Sequence, residues 1–155
     1  MADSVTVKVE GLRELGERMR ELAQEVNQRI SNRAVSKAGQ FIRDLAKVRA
    51  PVLPYDQMLE GVLVPSGNLR DNIVVKKVSK GQTNLTSEYI VTVRGKRKDA
   101  YAARYGRLVE YGTTYAAPHP FLRPAFDAGK NTAVEIIRDE LDKGLERAAK
   151  KAAKG

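Results

Sequence analysis

Few residues that could carry chemistry occur in this sequence, and they gather in residues 105–125. This stretch, Y-G-R-L-V-E-Y-G-T-T-Y-A-A-P-H-P-F-L-R-P-A, holds the only histidine, His119, and three of the six prolines. A histidine that acts as a general base needs a partner, and no Ser or Asp lies at a diagnostic spacing from it. With one His and no Cys, the sequence has no metal-ligand signature. We therefore predict a structural role for His119 and no catalytic, cofactor or metal site.

Glu110 is the only acid of this stretch and has two interpretations. It could act as a lone acid, or its carboxylate could accept hydrogen bonds from nearby backbone N–H groups, such as those of Gly112 and Thr113. The second use is the commoner one. Gly106 and Gly112 match neither the dinucleotide nor the phosphate-loop fingerprint. Each residue before a proline is restricted to extended conformations, so the stretch is stiff and we interpret it as a docking loop.

A long helix precedes this loop in the chain. Apolar residues from Leu12 to Val48 are spaced three or four apart, which places them on one stripe of a helix that ends before Pro51. The stripe could belong to a coiled coil, but it loosens after Val26, which favours a helix covering a sheet. Ser31-Asn32 is the point where a kink or a split into two helices would fall.

Alternating apolar residues predict three strands, at Val5–Val9, Ile73–Val78 and Tyr89–Arg94. The polar linker between the last two indicates an antiparallel hairpin. We predict an α+β fold, in which a small antiparallel sheet of three or four strands packs against a long N-terminal helix and a C-terminal helix. One domain covers residues 1–155, and its open sheet edges would suit pairing with a neighbouring subunit.

Two further helices flank the loop. Asp99 can cap a helix that runs from near Ala100 to about Tyr111. After the loop, Pro124 suits the first turn of the C-terminal helix. Gly129 and Gly144 weaken this helix, which is therefore predicted to form fully only near Asn131 or Thr132. The last residues, 149–155, are expected to fray as a basic tail.

Residues 53–65 do not fit the helices or the strands. They contain two prolines, Gly61 and an apolar cluster. We predict a flexible arm that orders on a partner, with an ordinary surface loop as the alternative. The candidate contact residues of the arm are Tyr55, Met58, Leu59 and Leu63.

The net charge of +9 is concentrated in one region. Nine basic and two acidic residues lie between Lys76 and Arg107, a local excess of seven positive charges. Such a patch favours phosphates or an acidic protein surface, and it is equally compatible with a solvated face. No nucleic-acid-binding motif is present, although Tyr101 and Tyr105 could stack on bases rather than pack in the core. The basic patch comprises Lys76, Lys77, Lys80, Arg94, Lys96, Arg97 and Lys98.

The N-terminal residues show no signal-peptide pattern. No apolar run approaches the length of a membrane span either. From the sequence we therefore expect neither secretion nor membrane insertion.

Several motifs, taken in order, resemble the minor tail-component family of lambda-like long-tailed bacteriophages, which belongs to the neck or tail-completion set. The family pattern is A-P-V-x-T-G-x-L-R-x-S-I, then V-E-[FY]-G-T, then P-F-L-R-P-A before a terminal helix. This chain has K-V-R-A-P-V at residues 47–52, S-G-N-L-R-D-N-I at 66–73, V-E-Y-G-T at 109–113 and P-F-L-R-P-A at 120–125. It departs from the pattern at residues 53–65, which are inserted, and at Asn72, which replaces Ser.

The resemblance implies a structural virion protein that is not an enzyme. Such proteins assemble as rings, often six-fold, at the top of the tail and join it to the head connector, and DNA passes through the ring. It implies homo-oligomers, neck, connector or tail-tube proteins as partners, non-specific contact with passing DNA, and a location in the host cytoplasm during assembly. Candidate contact residues in the loop region are Arg107, Glu110, Tyr111, Gly112, Thr113, Tyr115, Phe121 and Arg123.

Overall fold

The computed structural model describes residues 24–59, 61–78, 86–95 and 100–154. The strand predicted at Val5–Val9 and the first part of the predicted long helix lie outside these ranges. So do four members of the basic patch, Lys80, Lys96, Arg97 and Lys98. The described elements, in chain order, are α1 (Gln24–Arg49), β1 (Gln57–Leu59), β2 (Val62–Val64), α2 (Asn68–Asp71), β3 (Ile73–Lys77), β4 (Tyr89–Val93), α3 (Ala100–Tyr111) and α4 (Leu122–Ala152).

The α+β fold class is confirmed. The predicted hairpin forms between β3 and β4, which are antiparallel with Ile73 opposite Val93 and Lys77 opposite Tyr89. The four described strands form two separate two-stranded sheets, because β1 and β2 pair only with each other in this part of the chain. Residues 53–65, predicted as a flexible arm with an ordinary surface loop as the alternative, therefore contain a short hairpin, in whose turn Gly61 takes a left-handed φ of 79°.

Helix α1 lies between the β3–β4 hairpin and helix α4. Between Ala34 and Ala46 its apolar stripe is confirmed, and both of these alanines are fully buried, whereas Val26 and Val48, predicted on the same stripe, are exposed. On one side Gly39 lets α1 approach Val75 of β3, since a Cβ at Gly39 would lie 3.0 Å from Cγ1 of Val75. The helix runs through Ser31-Asn32 without a break, so the predicted split does not occur.

On its other side, α1 packs antiparallel to α4 at two glycines. A Cβ at Gly129 would lie 2.6 Å from Cδ1 of Leu45, and one at Gly144 would overlap Cγ2 of Ile30. The prediction that α4 forms fully only near Asn131 was wrong, because α4 begins at Leu122 and continues to Ala152. These glycines cost helix propensity, but their lack of a side chain brings the two helices into close contact.

The central core cluster lies where α1, α2, β3 and the first turn of α4 meet. It is built from the motif segments that are dispersed along the sequence. Its members are Ala46, Ala50, Leu69, Ile73, Phe121 and Ala125, with Leu45, Val91, Val93, Val109 and Leu122 packed against them. The fold therefore brings residues of the A-P-V and G-N-L-R segments into contact with residues of V-E-Y-G-T and P-F-L-R-P-A, the two segments that belong to the 105–125 stretch.

Candidate assembly surface

Glu110 fixes the start of helix α4 from a distance of eleven to thirteen residues. Its side chain is buried, and its two carboxylate oxygens accept three backbone N–H bonds. Oε2 accepts from Phe121 at 2.8 Å and Leu122 at 2.9 Å, and Oε1 accepts from Arg123 at 3.1 Å. These are orphan donors of the first helical turn, where a negative charge is also favoured by the helix dipole. Phe121, the N-cap residue, supplies no side-chain cap of its own, so Glu110 takes that role.

The loop between α3 and α4, residues 112–121, is called the capped loop here. Gly112 opens it with a φ of 77°, and a Cβ there would lie 2.9 Å from the backbone nitrogen of Pro118. The hydroxyl oxygen of Thr113 accepts bonds from the backbone N–H groups of Tyr115 and Ala116, at 3.2 and 3.0 Å. The backbone N–H of His119 donates to the carbonyl of Val109 at 2.8 Å.

These bonds hold the capped loop at both ends and in the middle. Two predicted contact residues, Glu110 and Phe121, lie inside the chain, where Phe121 is fully buried and anchors the loop. Their burial suits internal support rather than direct contact with a partner. The carboxylate partners are Phe121, Leu122 and Arg123 rather than the expected Gly112 and Thr113. At the apex, Tyr115 is 98% exposed.

Arginines and a tyrosine form a ledge beside the capped loop. The guanidinium of Arg123 stacks over the ring of Tyr111, with its Cζ 4.8 Å from the ring centroid, a cation–π contact. Arg107 lies one helical turn before Tyr111 on α3, and Arg104 lies a further turn before it, both exposed. The basic ledge is defined as Arg104, Arg107, Tyr111 and Arg123.

An apolar groove of about 230 Å³ separates α3 from the β1–β2 hairpin. Val64 of β2 is buried at the groove, whereas Met58 and Leu63 point the other way, paired across the two strands and 65% and 59% exposed. The base of the hairpin is closed at Ser66, whose backbone N–H donates to Oδ1 of Asp56 at 2.8 Å and whose hydroxyl donates to the carbonyl of Leu53 at 2.5 Å. The groove is lined by Pro51, Leu53, Gln57, Val64, Pro65, Gly67, Asn68, Leu69, Tyr101, Ala102, Arg104, Tyr105 and Leu108.

The hairpin therefore buries Val64 on one face and exposes Met58 and Leu63 to water on the other. Of the other predicted arm residues, Tyr55 is exposed and Leu59 ends β1. Arg104 and Leu108 were not predicted as surface residues from the sequence, and Tyr105 was considered only for base stacking or core packing. The signal was present, because they fall three and four residues apart on the outward side of the predicted helix.

The described members of the predicted basic patch do not form one cluster. Lys76 and Lys77 are consecutive on β3 and so point to opposite faces of the hairpin. Arg94 follows the opposite end of the hairpin, where its N–H donates to the carbonyl of Asn72 at 2.8 Å. Five strand residues separate the two ends, a distance of about 15 Å.

No constellation for catalysis is assembled in the described part of the chain. The exposed side chain of His119 has no hydrogen-bond or ion-pair partner among the described residues. Within those ranges, no three His, Asp or Glu residues are grouped so that they could hold a metal ion. Of the described helices, none combines the length and the apolar character needed to cross a membrane.

The fold and this surface define a small α+β module that presents a fixed loop, a basic ledge and an exposed apolar hairpin. The chain belongs to the HK97-gp10-like family, whose model, described as "Bacteriophage HK97-gp10, putative tail-component", matches residues 13–112. It is therefore a phage tail component, a virion protein that works with other phage proteins. The match ends at Gly112, the first residue of the capped loop. No curated protein and no solved structure matches the chain.

Proposed function

We propose that the chain is a non-enzymatic subunit of a ring at the head-proximal end of a phage tail. In this role it completes the tail and joins it to the head connector, and DNA passes through the ring. Its partners are further copies of the chain and the neck, connector or tail-tube proteins, and it occupies the host cytoplasm until assembly. Family membership supports a structural tail role, and the ring and its position are our extension of it.

The exposed apolar face of the β1–β2 hairpin carries this proposal. Met58 and Leu63 sit opposite each other on two strands whose other face is already packed. A two-stranded hairpin is marginally stable in water, and large apolar side chains gathered on one exposed face mark an interaction site. We propose that this face contacts a neighbouring subunit, with Tyr55 and Leu59 in the same arm.

The capped loop supports the same role for a different reason. Its backbone is held by the Glu110 carboxylate and by internal bonds, so Tyr115 is presented at a fixed position. A preorganised loop loses little conformational entropy on binding, which favours repeated contacts in an assembly. Thr113 and Gly112 shape the loop, and Tyr115 is its candidate contact side chain.

A nucleic-acid-binding module remains the alternative function, but no described feature favours it over a ring. The described patch residues are dispersed over two faces and two ends of the β3–β4 hairpin. Binding to a phosphate backbone uses several cations on one surface. We therefore assign any DNA contact to the passage of DNA through the ring.

Native mass spectrometry and negative-stain microscopy test this function. The chain, alone and mixed with purified tail tubes or connectors of its phage, should give closed oligomers or bind the end of the tube. The double variant Met58→Ser, Leu63→Ser should weaken that assembly while leaving monomer stability within about 0.5 kcal/mol of wild type, because both side chains are exposed. Val48→Ser, an exposed apolar residue on α1, is the matched control and should assemble normally. A chain that stays monomeric and binds neither structure would refute the proposal.

A further inference from the structure

The basic ledge concentrates positive charge on one side of α3. Arg104, Arg107 and Arg123 contribute three charges, and the only acid of α3, Glu110, is buried beneath them. In the described part of the chain, no acidic side chain forms an ion pair with Arg104 or Arg107. Arg104 and Arg107 therefore contribute two positive charges to the ledge that no acidic side chain of the described residues neutralises.

Helix α4 carries a narrow row of acids on its outward side, with the exposed Arg138 and Lys143 at the edges of the row. Four acids recur at intervals of four, three and four residues, which places them on one side of the helix. All four are exposed, and none of them forms an ion pair within the described ranges. The buried Glu140, which faces α1, lies on the other side of the helix. This acidic stripe consists of Glu135, Asp139, Asp142 and Glu146.

The two surfaces have similar lengths, and no ion pair joins them within the described chain. The stripe extends about 16 Å along α4, and Arg104 to Tyr111 extends about 10 Å before the reach of the arginine side chains is added. Arg123 lies in the first turn of α4, so Glu135 begins about 18 Å further along the same rigid helix. An acidic stripe that neutralises the basic ledge of one copy must therefore belong to a second copy.

We propose that the basic ledge of one copy docks on the acidic stripe of the next copy, and that this is the contact between ring subunits. Two different patches meet in such a head-to-tail contact, and repetition of it gives a closed ring when the rotation closes. Tyr111 and Leu108, both half exposed, add apolar area between the arginines. The inference rests on the proposed ring function and names its contact.

A second copy of the chain would neutralise both charged surfaces, whereas DNA would neutralise only the basic ledge. Phosphates could neutralise the ledge, but they would be repelled by the stripe, which would then have no partner. A contact between copies uses both surfaces and neutralises both. Electrostatic complementarity of this kind also fixes the register of the contact and selects against wrong pairings.

Charge reversal tests the contact. The ledge variant Arg104→Glu, Arg107→Glu and the stripe variant Glu135→Lys, Asp139→Lys each place like charges opposite one another. Each should raise the concentration of half-assembly at least about tenfold, measured by mass photometry in 50 mM NaCl. A chain with all four substitutions restores opposite charges and should recover assembly to within about threefold of wild type. Arg123 is left unchanged because its guanidinium supports Tyr111.

A matched control separates this contact from a general effect of charge. The variant Lys76→Glu, Lys77→Glu changes the net charge as much as the ledge variant does, but on the β3–β4 hairpin, and should assemble as wild type. Circular dichroism should show that all variants are folded. Raising NaCl to 500 mM should weaken wild-type assembly, because exposed charges are screened at that ionic strength.

The outcomes are distinguishable. If wild type forms rings and the ledge variant forms the same rings at the same concentration, the contact is refuted and the ring function stands. The contact is also refuted if the four-substitution chain stays monomeric while folded, or if the ledge variant loses only DNA or connector binding. If wild type assembles neither alone nor on tail tubes, the ring function itself fails, and the contact fails with it.

Discussion

Replacing Glu110 by Gln should destabilise the protein by about 2–4 kcal/mol. In wild type, Oε2 accepts the N–H groups of Phe121 and Leu122, and Oε1 accepts that of Arg123. A Gln side chain can keep its oxygen at the first position, but its NH₂ group then faces the N–H of Arg123. One hydrogen bond to a charged acceptor is lost, about 1.5–3 kcal/mol, and the charge at the helix N-terminus is lost, about 0.3–1 kcal/mol.

Urea unfolding followed by circular dichroism measures this loss, and hydrogen exchange locates it. The amide protons of Phe121, Leu122 and Arg123 should exchange faster in Glu110→Gln, and those in the middle of α1 should change only by the global loss. The control is Asp127→Asn, which makes the same carboxylate-to-amide change at an exposed position of α4 and should stay within about 0.5 kcal/mol of wild type. A Glu110→Gln protein as stable as that control, with unchanged exchange at the three amides, would refute the capping role.

Three further predictions concern the packing and the charges that hold the helices. Gly144→Ala should cost about 1–3 kcal/mol in urea unfolding, because the added methyl overlaps Ile30, and the cost should shrink in an Ile30→Ala background; an unchanged cost would contradict this contact. Gly112→Ala should cost more than Gly61→Ala, since both have positive φ but only Gly112 has atoms within 4 Å of the new methyl; equal losses would exclude crowding. The hydrogen bond from Lys37, followed by the charges of Lys37 and Arg33, holds the pKa of Glu140 below its ordinary value of 4.5. Because this folded-state pKa is lowered, the stabilisation is complete well above pH 4.5 and is lost as the pH falls below it, so the stability advantage of wild type over Glu140→Gln should shrink on acidification; a constant difference would refute the linkage.

Local periodicity was enough to predict several elements of the fold. The β3–β4 hairpin, the bounds of α3 and the middle of the α1 stripe, from Ala34 to Ala46, depend on neighbours within a few residues, and these were confirmed. The start of α4 could not be predicted in this way. Pro124 suited its first turn, but the first helical residue depends on Glu110, a capping group eleven residues before Phe121 in the chain.

In the candidate surface, too, the features that depend on local sequence were predicted and those that depend on distant contacts were not. The role of Glu110 as a hydrogen-bond acceptor followed from its residue type and position, but its partners did not, because they depend on how the loop closes. The stacking of Arg123 on Tyr111 likewise needed the three-dimensional arrangement. Gly144 was interpreted as a weakness of α4, since its contact with Ile30 is visible only once the helices are packed.

We propose above that this phage tail component forms rings. Negative-stain microscopy of the purified wild-type chain, combined with mass photometry over a range of concentrations and in the presence of tail tubes, tests it most directly. We expect annular particles with one subunit number, or a single annulus added at the end of each tube. A chain that remains a monomer at every concentration and leaves the tubes bare would contradict it.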